Sequence, residues 1–309
     1  LLPFDVIGAS VIAMFIGMLI NGYRKPGKTT APGVKFTAKK ILKFAIILLG
    51  ASLNVTTILN VGRMSLTVML FTLLTCFGGG YFIGRALGLD WKLSNLISAG
   101  TGICGGSAIA AVAPVIDAKD SDIAYALSAT FLFDMAMIVL FPIMGRAMGL
   151  SDMAYGLWAG TAVNDTSSVV AAGYAFSEGA GDFATMVKLT RTLAIIPITL
   201  VLAFVRTKRA KTDGTKVDFK KIFPMFILYF LLASVITTIC VSTGVSASVF
   251  TPLKTLSKFL IVMAMCAVGL NTNIVKLVKT GGKPLIMGFC CWVGIASMSL
   301  LMQHVLGIW

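Results

Sequence analysis

The stretch AGTAVNDTSSVVAAG, residues 159–173, places a polar run inside an apolar segment that is long enough to cross a bilayer. Polar and ionisable side chains at membrane depth are costly, and they mark an ion or substrate pathway. The alternative is a short loop outside the bilayer between small apolar residues. We expect the polar run to bind a coupling ion through Asn164, Asp165, Thr166, Ser167 and Ser168.

A second stretch, AGTGICGGSAIAAVA at residues 99–113, aligns with the first at a constant offset. Two copies of a glycine-rich, interrupted apolar segment are typical of a transporter whose discontinuous helices expose half-helix ends near the membrane midplane. Each copy could be one crossing helix or a re-entrant hairpin, and the sequence leaves both open. Chance alignment of common small residues is the competing explanation.

The second stretch carries no charge, but its glycines predict a helix start with free backbone N–H groups, which attract anions. Glycine also lets a ligand approach the backbone closely, although close helix packing explains the same glycines equally well. Arg191, in a later span, offers a planar fork that suits an oxyanion. The predicted substrate-binding residues are Thr101, Gly102, Cys104, Gly105, Gly106, Ser107 and Arg191.

Two acids, Asp134 and Asp165, and two bases, Lys188 and Arg191, lie well inside predicted spans. Lys188 and Arg191 are one helical turn apart on one face. Asp165 could coordinate Na⁺ through oxygen ligands or carry a proton. Asp134 and Lys188 are predicted to form a supporting charge network, and a salt bridge that only holds helices together is the simpler interpretation. The cysteines have no metal-binding spacing, so we expect no cofactor, and no metal other than Na⁺ as a coupling ion.

The composition indicates an all-α polytopic membrane protein, since 57% of the 309 residues are hydrophobic and only 12% are charged. Polar runs are short, so residues 1–309 are expected to form a single membrane domain. We predict a core around residues 41–205 and 255–307, and a panel that includes 4–21 and 222–244. The ten predicted spans are 4–21, 41–54, 65–88, 93–117, 123–146, 156–177, 183–205, 222–244, 255–271 and 284–307.

The net charge of +14 comes largely from basic residues clustered between spans, which is typical of cytoplasmic loops and argues against a nucleic-acid partner. The most basic of these loops are residues 24–43 and 206–221. This orientation leaves Arg63, Lys254 and Lys258 on the outer side, as exceptions to the positive-inside rule. A further repeat, residues 50–62 with 269–281, has copies of opposite orientation and predicts inverted-topology repeats.

Four motifs follow one another along the chain: GTGICGGSAIAAVAPVIDA, GTAVNDTSSVVAAG, KLTRTLAIIPI and AVGLNTNIVKLVKTGGKPL. Together they resemble, over nearly the whole chain, the YeiH-like family of bacterial inner-membrane proteins, whose members are described as sulfate exporters. The resemblance implies a fold related to sodium/proton antiporters and bile-acid symporters, with crossed discontinuous helices that move against a panel. Members commonly carry His-Glu in place of Asn164-Asp165, and the Asn-Asp pair instead resembles electroneutral sodium/proton antiporters. Members also begin with one more span, so an N-terminal segment is expected to be missing here.

We therefore expect secondary active transport of a small anion, such as sulfate, a related sulfur oxyanion or a sulfonate, coupled to H⁺ or Na⁺ across the bacterial inner membrane. The alternative is Na⁺/H⁺ antiport without a sulfur substrate. A remote alternative is an intramembrane aspartyl protease built on Asp134 and Asp165; otherwise the chain is not expected to be an enzyme. The expected partners are the small anion and the lipid bilayer, with a homodimer left open.

Overall fold

The described residues of the computed structural model, 9–53, 55–210, 225–271 and 282–308, form helices and connecting turns without a strand. A π-helical turn, Thr37–Ile41, joins the helices Ala31–Phe36 and Leu42–Gly50, and a second, Gly100–Cys104, extends the helix Trp91–Ala99. The all-α prediction is confirmed. The helices are α1 (Ala9–Tyr23), α2 (Ala31–Phe36), α3 (Leu42–Gly50), α4 (Val55–Ala86), α5 (Trp91–Ala99), α6 (Gly106–Ile116), α7 (Asp120–Ala147), α8 (Asp152–Ala162), α9 (Thr166–Phe176), α10 (Glu178–Thr192), α11 (Ile195–Ala210), α12 (Met225–Ser242), α13 (Thr251–Asn271) and α14 (Gly282–Val305).

In the part of the chain that the structure describes, six helical stretches are long and apolar enough to cross a membrane, and they correspond to six of the ten predicted spans. The other four predictions, near 4–21, 41–54, 93–117 and 156–177, fall on shorter or interrupted helices. A multi-pass membrane protein is therefore confirmed, while the number of ten spans stays a prediction. Residues 4–8 and 54 lie outside the described part of the chain, as do residues 272–281, which carry most of the second copy of the outer repeat. The six stretches are Ile58–Ala86, Ser121–Ala147, Glu178–Arg206, Met225–Ser242, Ser248–Asn271 and Gly282–Val305.

Both predicted discontinuous segments are interrupted, and each folds back on itself. In the first segment, the Lys92 ammonium near the start of α5 donates to the Asp117 carbonyl just after α6, at 2.6 Å. In the second, the Tyr155 ring near the start of α8 stacks on Phe176 at the end of α9, with the ring centroids 3.9 Å apart. The Tyr155 hydroxyl also donates to the carbonyl of Ala172 in α9, at 3.0 Å. The two ends of each segment therefore lie side by side.

Capping side chains set the starts of the short helices around these segments. Asp90, Ser151, Asp165 and Ser177 precede α5, α8, α9 and α10, and each accepts a hydrogen bond from a backbone N–H of the first turn. Such caps satisfy donors that a helix leaves without intrahelical partners. α6 differs, because its N-cap residue is Gly105 and no side chain caps it. The first-turn N–H groups of α6 are therefore left without a side-chain cap.

The helices pack as two groups. The scaffold group consists of α1, α2, α3, α12 and α13, and the core group consists of α4 to α11 together with α14. α9 touches α1 and α13, so it is the principal core helix at the boundary between the groups. α3 packs mainly on α12 and α13, and α13 packs mainly on α1 and α3. The division into a moving core and a fixed panel stays a prediction.

Close backbone contact between α1 and α13 depends on two glycines, Gly17 and Gly269. A Cβ atom built on Gly269 would overlap the carbonyl oxygen of Met14, and one built on Gly17 would overlap the carbonyl oxygen of Cys266. Small residues permit this approach between membrane helices. We expect Gly269→Val to destabilise the scaffold by about 1–3 kcal/mol, since extra atoms in a tight interface force the backbones apart.

The melting temperature in detergent measures this effect. Gly78→Ala is the matched control, because a Cβ on Gly78 meets no atom within 4 Å. Equal melting temperatures for the two variants would contradict the prediction.

Candidate functional site

The interruptions of the two folded-back segments touch each other inside the core group. Gly105 has φ +62°, and a Cβ built on it would lie 2.9 Å from both Cβ and Oδ1 of Asp165. We call this contact the crossing, and define it as residues 100–107 and 161–168. The structure therefore brings together the predicted substrate-binding residues 101–107 and the predicted coupling-ion residues 164–168. Only glycine fits the close approach and the backbone conformation at Gly105.

Lys188 of α10 binds both segments at the crossing. Its ammonium donates to the carbonyl of Ile103 at 2.7 Å and to that of Val163 at 2.8 Å. The side chain is fully buried. These carbonyls lie where α5 with its π turn and α8 end, and such ends carry partial negative charge. Lys188 therefore compensates the C-terminal ends of two helices at once.

Arg191, one turn further along α10, makes the same kind of contact. Its Nε donates to the carbonyl of Gly102 at 2.6 Å, and Nη2 donates to that of Thr101 at 3.0 Å. Nη1 donates to the carbonyl of Thr161, and the side chain is fully buried. The planar fork that was predicted to bind an anion thus binds the backbone carbonyls of both segments. Its role in anion binding stays a prediction.

Asp134 of α7 binds the backbone between α8 and α9, just before α9 begins. Its Oδ1 accepts hydrogen bonds from the backbone N–H groups of Asn164 and Asp165, both at 3.1 Å. Asp134 forms no ion pair with Lys188 or Arg191, and its predicted charge network with Lys188 stays a prediction. Asp134 Oδ2 is buried and has no hydrogen-bond partner among the described residues.

The polar side chains of residues 164–168 differ in their hydrogen bonding. Asp165 Oδ2 accepts from the Ser167 N–H at 2.9 Å and from the Ser167 hydroxyl. Asn164 is fully buried, and its amide oxygen and nitrogen lack partners within the described part of the chain. Buried polar groups are normally hydrogen-bonded, so such exceptions call for a ligand, a water or a function. Ser168 is buried, whereas Asp165 and Thr166 are partly exposed.

Exposure differs along the first segment. Thr101, Gly102 and Cys104 are buried, whereas Gly106 is partly exposed and Ser107 is exposed. The start of α6 is therefore the accessible part of this half of the crossing.

Comparison with known proteins assigns the chain to a family. The family model described as "Conserved hypothetical protein 698" matches residues 2–288. The chain belongs to this family. Curated members include UPF0324 membrane proteins of Clostridium tetani, 51% identical, and of Streptococcus mutans, 50% identical. Each match covers 99% of this chain and 92% of the relative.

A relative from Streptococcus agalactiae, also named a UPF0324 membrane protein, is 48% identical over 100% of this chain and 93% of its own length. No solved structure matches the chain. The names of these members of the Conserved hypothetical protein 698 family specify a membrane protein, in agreement with the apolar helices. They name no substrate, so sulfate export stays a prediction.

In this member of the family, Lys43 is a candidate site residue that was not predicted from the sequence. The sequence placed Lys43 in a basic cytoplasmic loop, but it lies in α3, where its ammonium sits 5.4 Å from the ring centroid of Phe226. Lys40 and Lys39 repel this ammonium, and Asp165 of the crossing attracts it more weakly. Lys43 therefore presents a positive charge from the scaffold group. The available signal was its position at the start of an apolar run, since Lys43 is followed by FAIILLG.

Proposed function

We propose that the chain is a secondary active transporter that couples the movement of a small anion to H⁺ or Na⁺ at the crossing. The observation that carries this proposal is the pair of unpartnered buried oxygens, Asp134 Oδ2 and Asn164 Oδ1, beside the partly exposed Asp165 carboxylate. Carboxylate and amide oxygens suit Na⁺ or a proton. Intramembrane ionisable groups in such a setting are expected to serve transport.

The balance of charge suits coupling between a cation and an anion. With all four side chains ionised, the positive charges of Lys188 and Arg191 balance the negative charges of Asp134 and Asp165 at the crossing. A proton or Na⁺ bound at Asp165 leaves one positive charge in excess, which an anion would offset. A bare charge in low-dielectric surroundings is costly, so each ion favours the binding of the other.

The anion would bind at the uncapped start of α6. Gly106 and Ser107 are accessible there, and the backbone N–H groups of a helix start attract anions. Lys43 would add a positive charge from the scaffold, which suits a divalent anion such as sulfate. Arg191 would act by holding the two segments in place. Sulfate, a related sulfur oxyanion or a sulfonate is the substrate implied by the resemblance to the YeiH-like family.

We further propose that both interrupted segments are re-entrant hairpins that enter the membrane from opposite sides. Support comes from their adjacent ends, and from Arg206 near the predicted cytoplasmic end of α11, which lies 3.8 Å from Asp117 at the end of the first segment. The first hairpin would then enter from the cytoplasm and the second from outside. Such inverted discontinuous elements are typical of secondary transporters.

Uptake of radiolabelled sulfate into proteoliposomes tests the function. With an imposed pH or Na⁺ gradient, the native protein is expected to accumulate sulfate, and Asp165→Asn is expected to reduce uptake to that of empty vesicles. The amide keeps the shape of the side chain but loses the charge that the cation requires. Asp122→Asn, in the first turns of α7 and away from the crossing, is the matched control and should keep native uptake.

Na⁺/H⁺ antiport is the second candidate, and the Asn164-Asp165 pair with its unpartnered amide favours it. Vesicles that exchange Na⁺ for H⁺ without taking up sulfate would identify an antiporter. Sulfate uptake that persists in Asp165→Asn would instead show that the coupling ion binds at another site. Cleavage of a membrane peptide would revive the protease alternative, which has no part in the proposal.

A further inference from the structure

Four charged side chains connect the scaffold group to the core group at one end of the helices. The Lys254 ammonium in α13 lies 2.7 Å from Glu178 Oε1 and 2.8 Å from Asp182 Oδ2, both in α10. Lys258, one turn along α13, lies 2.7 Å from the same Glu178 oxygen. Two acids spaced one turn apart therefore meet two lysines with the same spacing.

α9 takes part in this cluster through Tyr174. The Tyr174 hydroxyl donates to Asp182 Oδ1 at 2.5 Å, and the Lys258 ammonium lies 5.8 Å from the centroid of its ring. The N-terminal end of α9 lies directly after Asp165. The helix whose start forms part of the crossing is thus tied at its far end to the scaffold.

The cluster lies at the outer end of the helices. α11, which follows α10, leads to the basic residues 206–221, and these are placed in the cytoplasm by the positive-inside rule. The start of α10, with Glu178 and Asp182, is therefore at the outside, as is the start of α13. Lys254 and Lys258 were exceptions to that rule, and their pairing with two acids accounts for their position.

Within the described residues, the ion pairs between the two groups are confined to this cluster. Lys92 and Arg206 also form ion pairs, both with Asp117, but all three residues belong to the core group. Among the described residues, the charged contacts between scaffold and core therefore lie at one end of the helices.

We propose that Lys254, Lys258, Glu178 and Asp182 form an outer latch, which closes the extracellular side of the boundary between core and scaffold and must release before the crossing opens outward. The inference rests on the proposed alternating access of the crossing. The latch is suited to repeated opening, because ion pairs at partly exposed positions are individually weak. The Glu178 side chain is 58% exposed and that of Lys258 is 35% exposed.

Access of an external reagent to the crossing tests the latch without any need for transport. Thr166→Cys places a thiol beside Asp165, and a membrane-impermeant maleimide is added to right-side-out membrane vesicles. Combining Lys254→Gln with Lys258→Gln is expected to speed labelling from outside about tenfold, since several weak ion pairs are lost together. Arg63→Gln is the matched control, because Arg63 is a cation on the same predicted side and lies outside the latch. The same variants with native Thr166 give the background from native cysteines.

A charge reversal and its partner distinguish the latch from general loosening of the fold. Glu178→Lys should speed labelling, because it faces two lysines, and adding Lys258→Glu should slow labelling again by restoring one ion pair. Equal labelling rates in the latch variants and the Arg63→Gln control would overturn the latch, even if sulfate transport is found. Faster labelling with rescue would support it, even if the protein carries no sulfate and the proposed function fails.

Discussion

Gly105→Ala is expected to disrupt the crossing, with a loss of about 3 kcal/mol or more in unfolding free energy. Gly105 has φ +62° and ψ −134°, a conformation that is almost restricted to glycine. A Cβ there would also lie 2.9 Å from Asp165 Cβ and 3.1 Å from its Cα. The obstacle is therefore the backbone of the other segment, which cannot move without displacing Asn164 and Asp165.

The melting temperature in detergent and gradient-driven uptake both measure this effect. Gly106→Ala is the matched control, because a Cβ on Gly106 first meets Leu127 Cδ2, the end of a flexible side chain, at 3.3 Å. We expect Gly106→Ala to melt within a few degrees of the native protein and Gly105→Ala to melt well below it. A Gly105→Ala variant that melts with the Gly106→Ala control and takes up sulfate like the native protein would show that the two segments are not in contact.

Arg191→Met is expected to be the most destabilising of the charge substitutions, with a loss of about 3–5 kcal/mol. The change leaves the carbonyls of Thr101, Gly102 and Thr161 without their buried donor. It also removes positive charge from the ends of two helices, where a cation is favourable. The stability of Arg191→Lys should fall between those of the native protein and Arg191→Met, because an ammonium is a compact donor that cannot reproduce a planar fork over three carbonyls.

Arg206→Met provides the matched control for this prediction. Arg206 also donates to a carbonyl, that of Val115, and pairs with Asp117, but its side chain is partly exposed. Its loss should cost about 1 kcal/mol or less. If Arg191→Met retained the melting temperature of the control and lost only sulfate uptake, Arg191 would be a substrate contact and its structural role would be refuted.

The sequence predicted the location of the candidate site because polar residues at membrane depth are conspicuous against apolar surroundings. Asn164, Asp165 and the aligned glycine-rich segment stood out for this reason, and the structure places them in contact. Lys43 was missed because a lysine at the edge of an apolar run looks the same whether it belongs to a loop or to a helix. Its relation to Asp165 depends on how two distant helices pack.

The sequence by itself determined the all-helical, multi-pass class and the two interruptions, since hydropathy, glycine and polar residues act locally along the chain. Tertiary structure decided the partners of the buried charges. The sequence predicted a charge network for Lys188 and anion binding for Arg191, and the structure shows both side chains bound to the carbonyls of two helix ends. Tertiary structure also decided that the two ends of each interrupted segment lie side by side. Both outcomes depend on which distant carbonyls, carboxylates and helix ends come within hydrogen-bonding distance, and local sequence patterns do not encode those distances.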